Sequence, residues 1–189
     1  MALYSLSEPS FEGSEVWGDV VTQRVIRCAS QEDQIRALRE MVGEARNLYN
    51  IRARARDIVF RQWPTPPKDR RAQALAIASW VQRNITYVEE MPEVFQTPSQ
   101  TVASGYGDCD DFTSLTAALL EAIGIPSLLV GLEWHVPDEG RAYQHIFAGA
   151  DLPSGFVPLD ATLSWPIDYV MDPIELARQK HPDVKIFVG

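Results

Sequence analysis

The run GYGDCDDFTSLTAALLEAIGIP, residues 105–126, constrains this chain more than any other segment. Phe112, Leu115, Leu119 and Ile123 recur at spacings of three, four and four, the stripe of a helix with one apolar face. Asp108 stands where an N-cap belongs, with Asp111 three residues on, and Gly124 and Pro126 supply the stop. The spacing predicts a helix over 109–123 whose first residue is a cysteine. Short apolar stretches at 127–134, 143–148 and 156–159 then predict three strands. Helices first and a strand meander afterwards make the expected class α+β.

Upstream, Ile35, Leu38, Val42, Ala45 and Tyr49 fall on one face of a helix over 31–60, with Ser30 as its N-cap. Three prolines in QWPTPPK end it. A second helix is expected over 69–84 on Ala74, Ile77, Val81 and Ile85. ITYV reads as a short extended piece and 89–107 as loop. VVTQRVIRC is a further strand candidate, Asp172 with Pro173 begins a last short helix, and KIFV ends the chain as a strand. The expected organisation is an N-terminal extension and helical arm over 1–68 and a core over 69–189, in one compact domain, as suits 189 residues that are 46% hydrophobic.

The charge is unevenly spread. Residues 31–83 carry eleven bases and six acids, so the formal −9 of the whole chain is −14 outside them. That balance argues against nucleic-acid binding. The basic arm over 31–61 could dock a protein partner, although charge on a helix is more often a solvated face. No apolar run reaches the ~18 residues of a membrane span, and the N-terminus lacks the basic start and apolar stretch of a signal peptide. Two widely separated cysteines, Cys28 and Cys109, make neither a disulfide framework nor a zinc cluster. A reduced compartment and no cofactor are the expectations.

Cys109 is the thiol placed for chemistry. A thiolate is the nucleophilic form, and a helix N-terminus favours it through the macrodipole and the first-turn amides, which can also face an oxyanion. Asp108, Asp110 and Asp111 oppose it, because like charges raise a thiol pKa. Such a thiol needs a cation, and imidazolium is the usual one. Of three histidines, His181 lies in KHPD and His135 borders a turn, whereas His145 sits within the strand-like YQHIFAGA. A strand holds a base more rigidly than a turn. Fifteen residues on, GFVPLDAT ends in Asp160, which can orient His145 if the two strands are adjacent and antiparallel. Taken singly, the cysteine could be a buried hydrophobe, the histidine structural, the acids helix caps or a calcium cluster, and Asp160 a turn cap. The ordered set is what favours chemistry.

The segment GYGDCDDFTSLTAALLEAIGIPSLLVG resembles the nucleophile helix and following strand of the transglutaminase-like superfamily. YQHIFAGA and GFVPLDAT are similar to its histidine and aspartate strands, and ASWVQRNITYVEE to the helix and extended piece before the cysteine. The likeness covers about 69–165 and is specific over 105–160. It implies a papain-like core, the nucleophile helix packed on an antiparallel sheet, with a triad of Cys109, His145 and Asp160. It also implies a second oxyanion donor ahead of the cysteine helix, for which Gln96 is the candidate, with Gln100 behind it. The expected activity is acyl transfer from an amide through a thioester: hydrolysis of a peptide or protein substrate, or crosslinking when an amine replaces water. The overall make-up resembles small members encoded among phage structural genes, which would make the protein a virion-associated enzyme or an adaptor that keeps the fold. A cell-wall peptidase of the same clan fits less well, because its third residue is not usually an aspartate.

Overall fold

The computed structural model describes residues 30–89, 95–136, 141–164, 166–167 and 172–189. The strand candidate VVTQRVIRC and Cys28 lie outside them.

Helix α1 (Gln31–Ala45) begins on Ser30, whose hydroxyl accepts from the Asp33 amide. It is not continuous to residue 60 as the periodicity predicts. The chain opens at Leu48, with ψ 141°, and restarts as α2 (Tyr49–Asp57), followed by one π-helical turn at Ile58–Gln62. The break resets the helical phase. Tyr49, expected on the buried face, is 87% exposed, and Ile51, Ala55 and Ile58 are buried instead. Helix α3 (Arg70–Asn84) is capped by Asp69 and leads into β1 (Thr86–Tyr87).

The stretch expected to be loop contains a short helix, α4 (Pro98–Ser104). Thr97 and Gln100 form a reciprocal capping box with Pro98 in the first turn. Gly105 then takes φ +74°, a left-handed conformation that glycine adopts without strain, and β2 (Tyr106–Gly107) pairs in parallel with β1. Helix α5 (Cys109–Ala122) starts and stops as predicted, with the Asp108–Asp111 capping box at its head and Gly124 at φ +76° after its end.

Strands β3 (Ser127–Val136), β4 (Arg141–Leu152) and β5 (Gly155–Leu159) are antiparallel, and all run longer than expected. Helix α6 (Pro173–Lys180) and strand β6 (Lys185–Val188) complete the described chain. The sheet order is β5-β4-β3-β6. Alternate residues of β4 go to different neighbours. Ile146, Ala148 and Ala150 join the main core with α1, α2, α3 and α5, while Phe147 joins Val130 and Leu132 under Ile174 and Ala177 of α6. Both faces of the sheet are thus covered, which is why SLLVGL reads as an unbroken apolar run rather than an alternating one.

The N-terminal helices share this core. Leu38, Met41 and Val42 of α1 and Ile51 of α2 lie in the same buried cluster as Leu115 and Leu119 of α5. Part of the arm's positive charge is used within the fold. Arg39 and Arg46 pair with Glu121 of α5 at 2.9 and 3.0 Å, and the Arg54 guanidinium lies over the Trp80 ring. No helix among the described residues is long and apolar enough to cross a membrane.

Candidate active site

The site forms where the head of α5 meets β4 and the residues after β5. The β4–β5 register pairs Ala148 with Leu159, so the chain leaves β5 beside Phe147 and delivers Asp160 towards His145. His145 Nε2 lies 2.7 Å from Asp160 Oδ2, the neighbour that the strand order anticipated. The other Asp160 oxygen accepts from the Thr162 amide at 3.1 Å and the Thr162 hydroxyl at 2.7 Å. With a side chain 1% exposed, Asp160 is a buried carboxylate whose acceptor positions are filled. Burial alone would push the His145 imidazole down, but the Asp160 charge and hydrogen bond outweigh it and hold the imidazole above its ordinary value of 6.5. With Nε2 engaged by the carboxylate, Nδ1 is the nitrogen left to act as a base.

Cys109 is the first residue of α5 and partly buried. Its Sγ lies 3.7 Å from Asp110 Oδ1. Asp111 is fully buried and holds the helix head together. Its Oδ1 accepts from the Gln96 amide at 2.8 Å, and its Oδ2 from Gln96 Nε2 at 3.1 Å and the Asp108 amide at 3.3 Å. A side chain at Gly107 would collide with Asp111, so this approach requires glycine. Thr113, one turn along α5, has its hydroxyl 2.6 Å from the Cys109 carbonyl and 3.0 Å from the Ile146 carbonyl. That hydroxyl ties the cysteine turn to the residue after His145. A small crevice also brings Phe112 and Thr113 against Phe147, Asp160 and Thr162.

The structure therefore puts His145 and Asp160 in direct contact and sets Cys109 at the head of the adjoining helix, with its sulfur directed to Asp110. Gln96 sits at the site, but its Nε2 donates to Asp111 and to the Tyr106 carbonyl, and its Oε1 accepts from Ser104. Gln100 uses its Oε1 on the Thr97 amide. Both glutamines shape the approach to α5. The remaining histidines lie elsewhere: His135 is exposed, and His181 caps α6 and stacks on Trp134.

Three contributors were not singled out from sequence. Tyr87 reaches the site because β1 pairs with β2 next to Gly107, and its ring meets Phe112 edge-on at 6.0 Å. Burial, then the negative charges at Cys109, Asp108, Glu89 and Asp110, push its hydroxyl up to about 12, so it stays protonated at neutral pH. Gln34 of α1 donates to Asp110 Oδ1 at 2.6 Å, and Thr113 acts as described above. Only Tyr87, a hydroxyl-bearing aromatic in the short extended segment ITYV, left a trace that sequence could have shown.

One atom from each of Asp108, Cys109 and Asp110 lies within 4.8 Å of the others, a spacing a cation can bridge. Asp108 already accepts from the Asp110 amide and Asp110 from Gln34, so the two carboxylates act as a cap and an anchor and are not assigned as ligands.

Residues 52–161, more than half of the chain, match the family model of the transglutaminase-like superfamily. Among solved structures, a candidate protease of Parabacteroides distasonis aligns with a TM-score of 0.54 at 15% identity, covering 74% of this chain and 28% of that one. A candidate cysteine protease of Cytophaga hutchinsonii aligns at 0.49 and 19% identity, covering 74% and 47%. LapG of Legionella pneumophila aligns at 0.44 and 18% identity, covering 68% and 74%. The chain thus spans less than half the length of the first two. No relative is found among curated proteins. The family match covers the cysteine helix, the histidine strand and the aspartate in a single stretch, and the chain belongs to the transglutaminase-like superfamily.

Proposed function

We propose that the protein is a cysteine hydrolase that cleaves a peptide or amide bond through a thioester on Cys109. The observation that carries this reading is the buried 2.7 Å contact between His145 and Asp160, beside a helix that begins with a cysteine. A carboxylate that raises the pKa of a histidine favours imidazolium, the cation that a thiolate among acids requires.

In the first step the Cys109 proton passes to His145 Nδ1 and the sulfur attacks the amide carbonyl. The oxyanion forms at the head of α5, where the helix dipole favours negative charge. As the C–N bond breaks, imidazolium gives its proton to the leaving amine. Water, deprotonated by the same ring, then attacks the thioester, and the proton returns to sulfur. Asp160 keeps the ring oriented and stays ionised, and Thr162 keeps Asp160 in place. Tyr87, whose ring meets Phe112 and whose hydroxyl feels the charge at Cys109, is the side chain we assign as second oxyanion donor, since the amide of Gln96 is engaged with Asp111 and Tyr106.

The test is labelling by a thiol-directed electrophile at neutral pH. Cys109→Ala should abolish labelling and Cys28→Ala should not. Labelling that is equal in both variants, or confined to Cys28, rejects the assignment. Release of fragments from a fluorescent protein substrate, measured beside incorporation of a fluorescent primary amine, separates hydrolysis from crosslinking.

A further inference from the structure

Helix α1 lies outside the residues that match the family, yet its first turns enter the site. Gln34 is 7% exposed, and its Nε2 donates to Asp110 Oδ1 at 2.6 Å. The same oxygen is 3.7 Å from the Cys109 sulfur. One carboxylate oxygen therefore takes a hydrogen bond from α1 and faces the thiol. Helix α1 is seated by its own packing. Leu38 is fully buried, and a Cβ at Gly131 of β3 would collide with Gln31 and touch Ile35, so glycine sets how closely the helix approaches the sheet.

The charged and titratable groups around the thiol come from every element at the site. Asp108, Asp110 and Asp111 belong to the α5 cap and first turn, Tyr87 and Glu89 to β1 and the residues after it, and His145 with Asp160 to the sheet. The carboxylates oppose a thiolate, the imidazolium favours it, and the Tyr87 hydroxyl is neutral. Asp111 is engaged by Gln96 and the Asp108 amide, and Asp108 by the Asp110 amide. Asp110 is the acid that lies 3.7 Å from the sulfur through the same oxygen that Gln34 holds. A carboxylate oxygen that already accepts a strong amide hydrogen bond is a weaker acceptor for a thiol proton, and it is held in one direction.

We propose that Gln34 is a positioning residue for the nucleophile: by donating to Asp110 Oδ1 it partly offsets the negative charge that this oxygen presents to the sulfur and fixes its direction, so that helix α1 completes the site. The proposal rests on Cys109 being the nucleophile.

The test is the pH dependence of iodoacetamide alkylation of Cys109 in a Cys28→Ala background. Gln34→Leu should move the alkylation midpoint up by about half a unit to one unit, the size expected for losing one hydrogen bond to a charged group. Gln34→Asn, which withdraws the amide by one methylene, should shift it in the same direction and serves if Gln34→Leu does not fold. Leu38→Ala, in the same helix but away from Asp110, should lower the melting temperature without moving the midpoint. In an Asp110→Asn background, Gln34→Leu should add no upward shift. A midpoint that is unchanged or lower in Gln34→Leu overturns the proposal. A parent protein with no titrating alkylation at Cys109 overturns the proposed function instead, and this inference with it.

Discussion

Two buried aspartates flank the two halves of the site, and they do opposite things. Asp160 faces the imidazole and Asp110 faces the thiol. Both side chains are almost wholly removed from water, and each accepts from a neutral partner, Thr162 in one case and Gln34 in the other. Asp160 stabilises the charged form of its neighbour, because imidazolium is a cation. Asp110 destabilises the charged form of its neighbour, because thiolate is an anion. The same residue type at the same depth thus favours charge on one neighbour and opposes it on the other. The polarity of the site comes from which group each carboxylate meets, and not from how many acids surround it.

The largest test of that contrast is Asp160→Asn. It should cut kcat/KM by about a hundredfold or more, on the scale of losing an oriented general base, and should lower the His145 midpoint, read by NMR of the ring. A midpoint that stays put would break the contrast. The stability sign follows from the upward shift. A histidine whose folded value is raised contributes stability that is fully present below its unfolded value of 6.5 and is lost as pH rises through the folded one. The wild-type advantage in melting temperature over Asp160→Asn should therefore be greatest in acid and shrink towards alkaline pH. An advantage that grows with pH would contradict it.

Asp111→Ala comes next, as a stability effect. It leaves the Gln96 and Asp108 amides without their acceptor, and should cost about 3 kcal/mol in denaturant unfolding. A loss under about 0.5 kcal/mol would mean that water replaces the carboxylate. Tyr87→Phe should lower kcat about tenfold with little change in KM, as expected when a hydroxyl serves only the transition state. A rise in KM alone would make Tyr87 a binding residue. The smallest expected effect is in Asp110→Asn, which should lower the Cys109 midpoint by about half a unit to one unit, opposite in sign to the effect of Asp160→Asn on His145. An unchanged thiol titration would show that the acid is silent despite its distance.

The parts of the molecule that sequence revealed are those written in local chemistry. The α5 stripe, its Asp108 cap, its Gly124 stop and the order of cysteine, histidine and aspartate were legible because each signal lies within a few residues of its effect. Helix α4 was equally local, since TPSQ spells a capping box with proline in the first turn, but at seven residues it is too short for apolar periodicity to report it. The break near Leu48 was hidden for a different reason. The stripe continues numerically to Tyr49, and only the packing of Ile51 and Ile58 shows that the phase has changed. Gln34 could not be read at all. It meets Asp110 across 76 positions of sequence, and nothing near residue 34 announces a partner in α5.

A hydroxyl carries one hydrogen, and Thr113 has two carbonyls within reach of its own. When the proton points to Cys109 it closes the first turn of the helix, and when it points to Ile146 it fastens that turn to the sheet. One hydroxyl group therefore stands between the first turn of α5 and the strand that carries His145, and either carbonyl can take its proton.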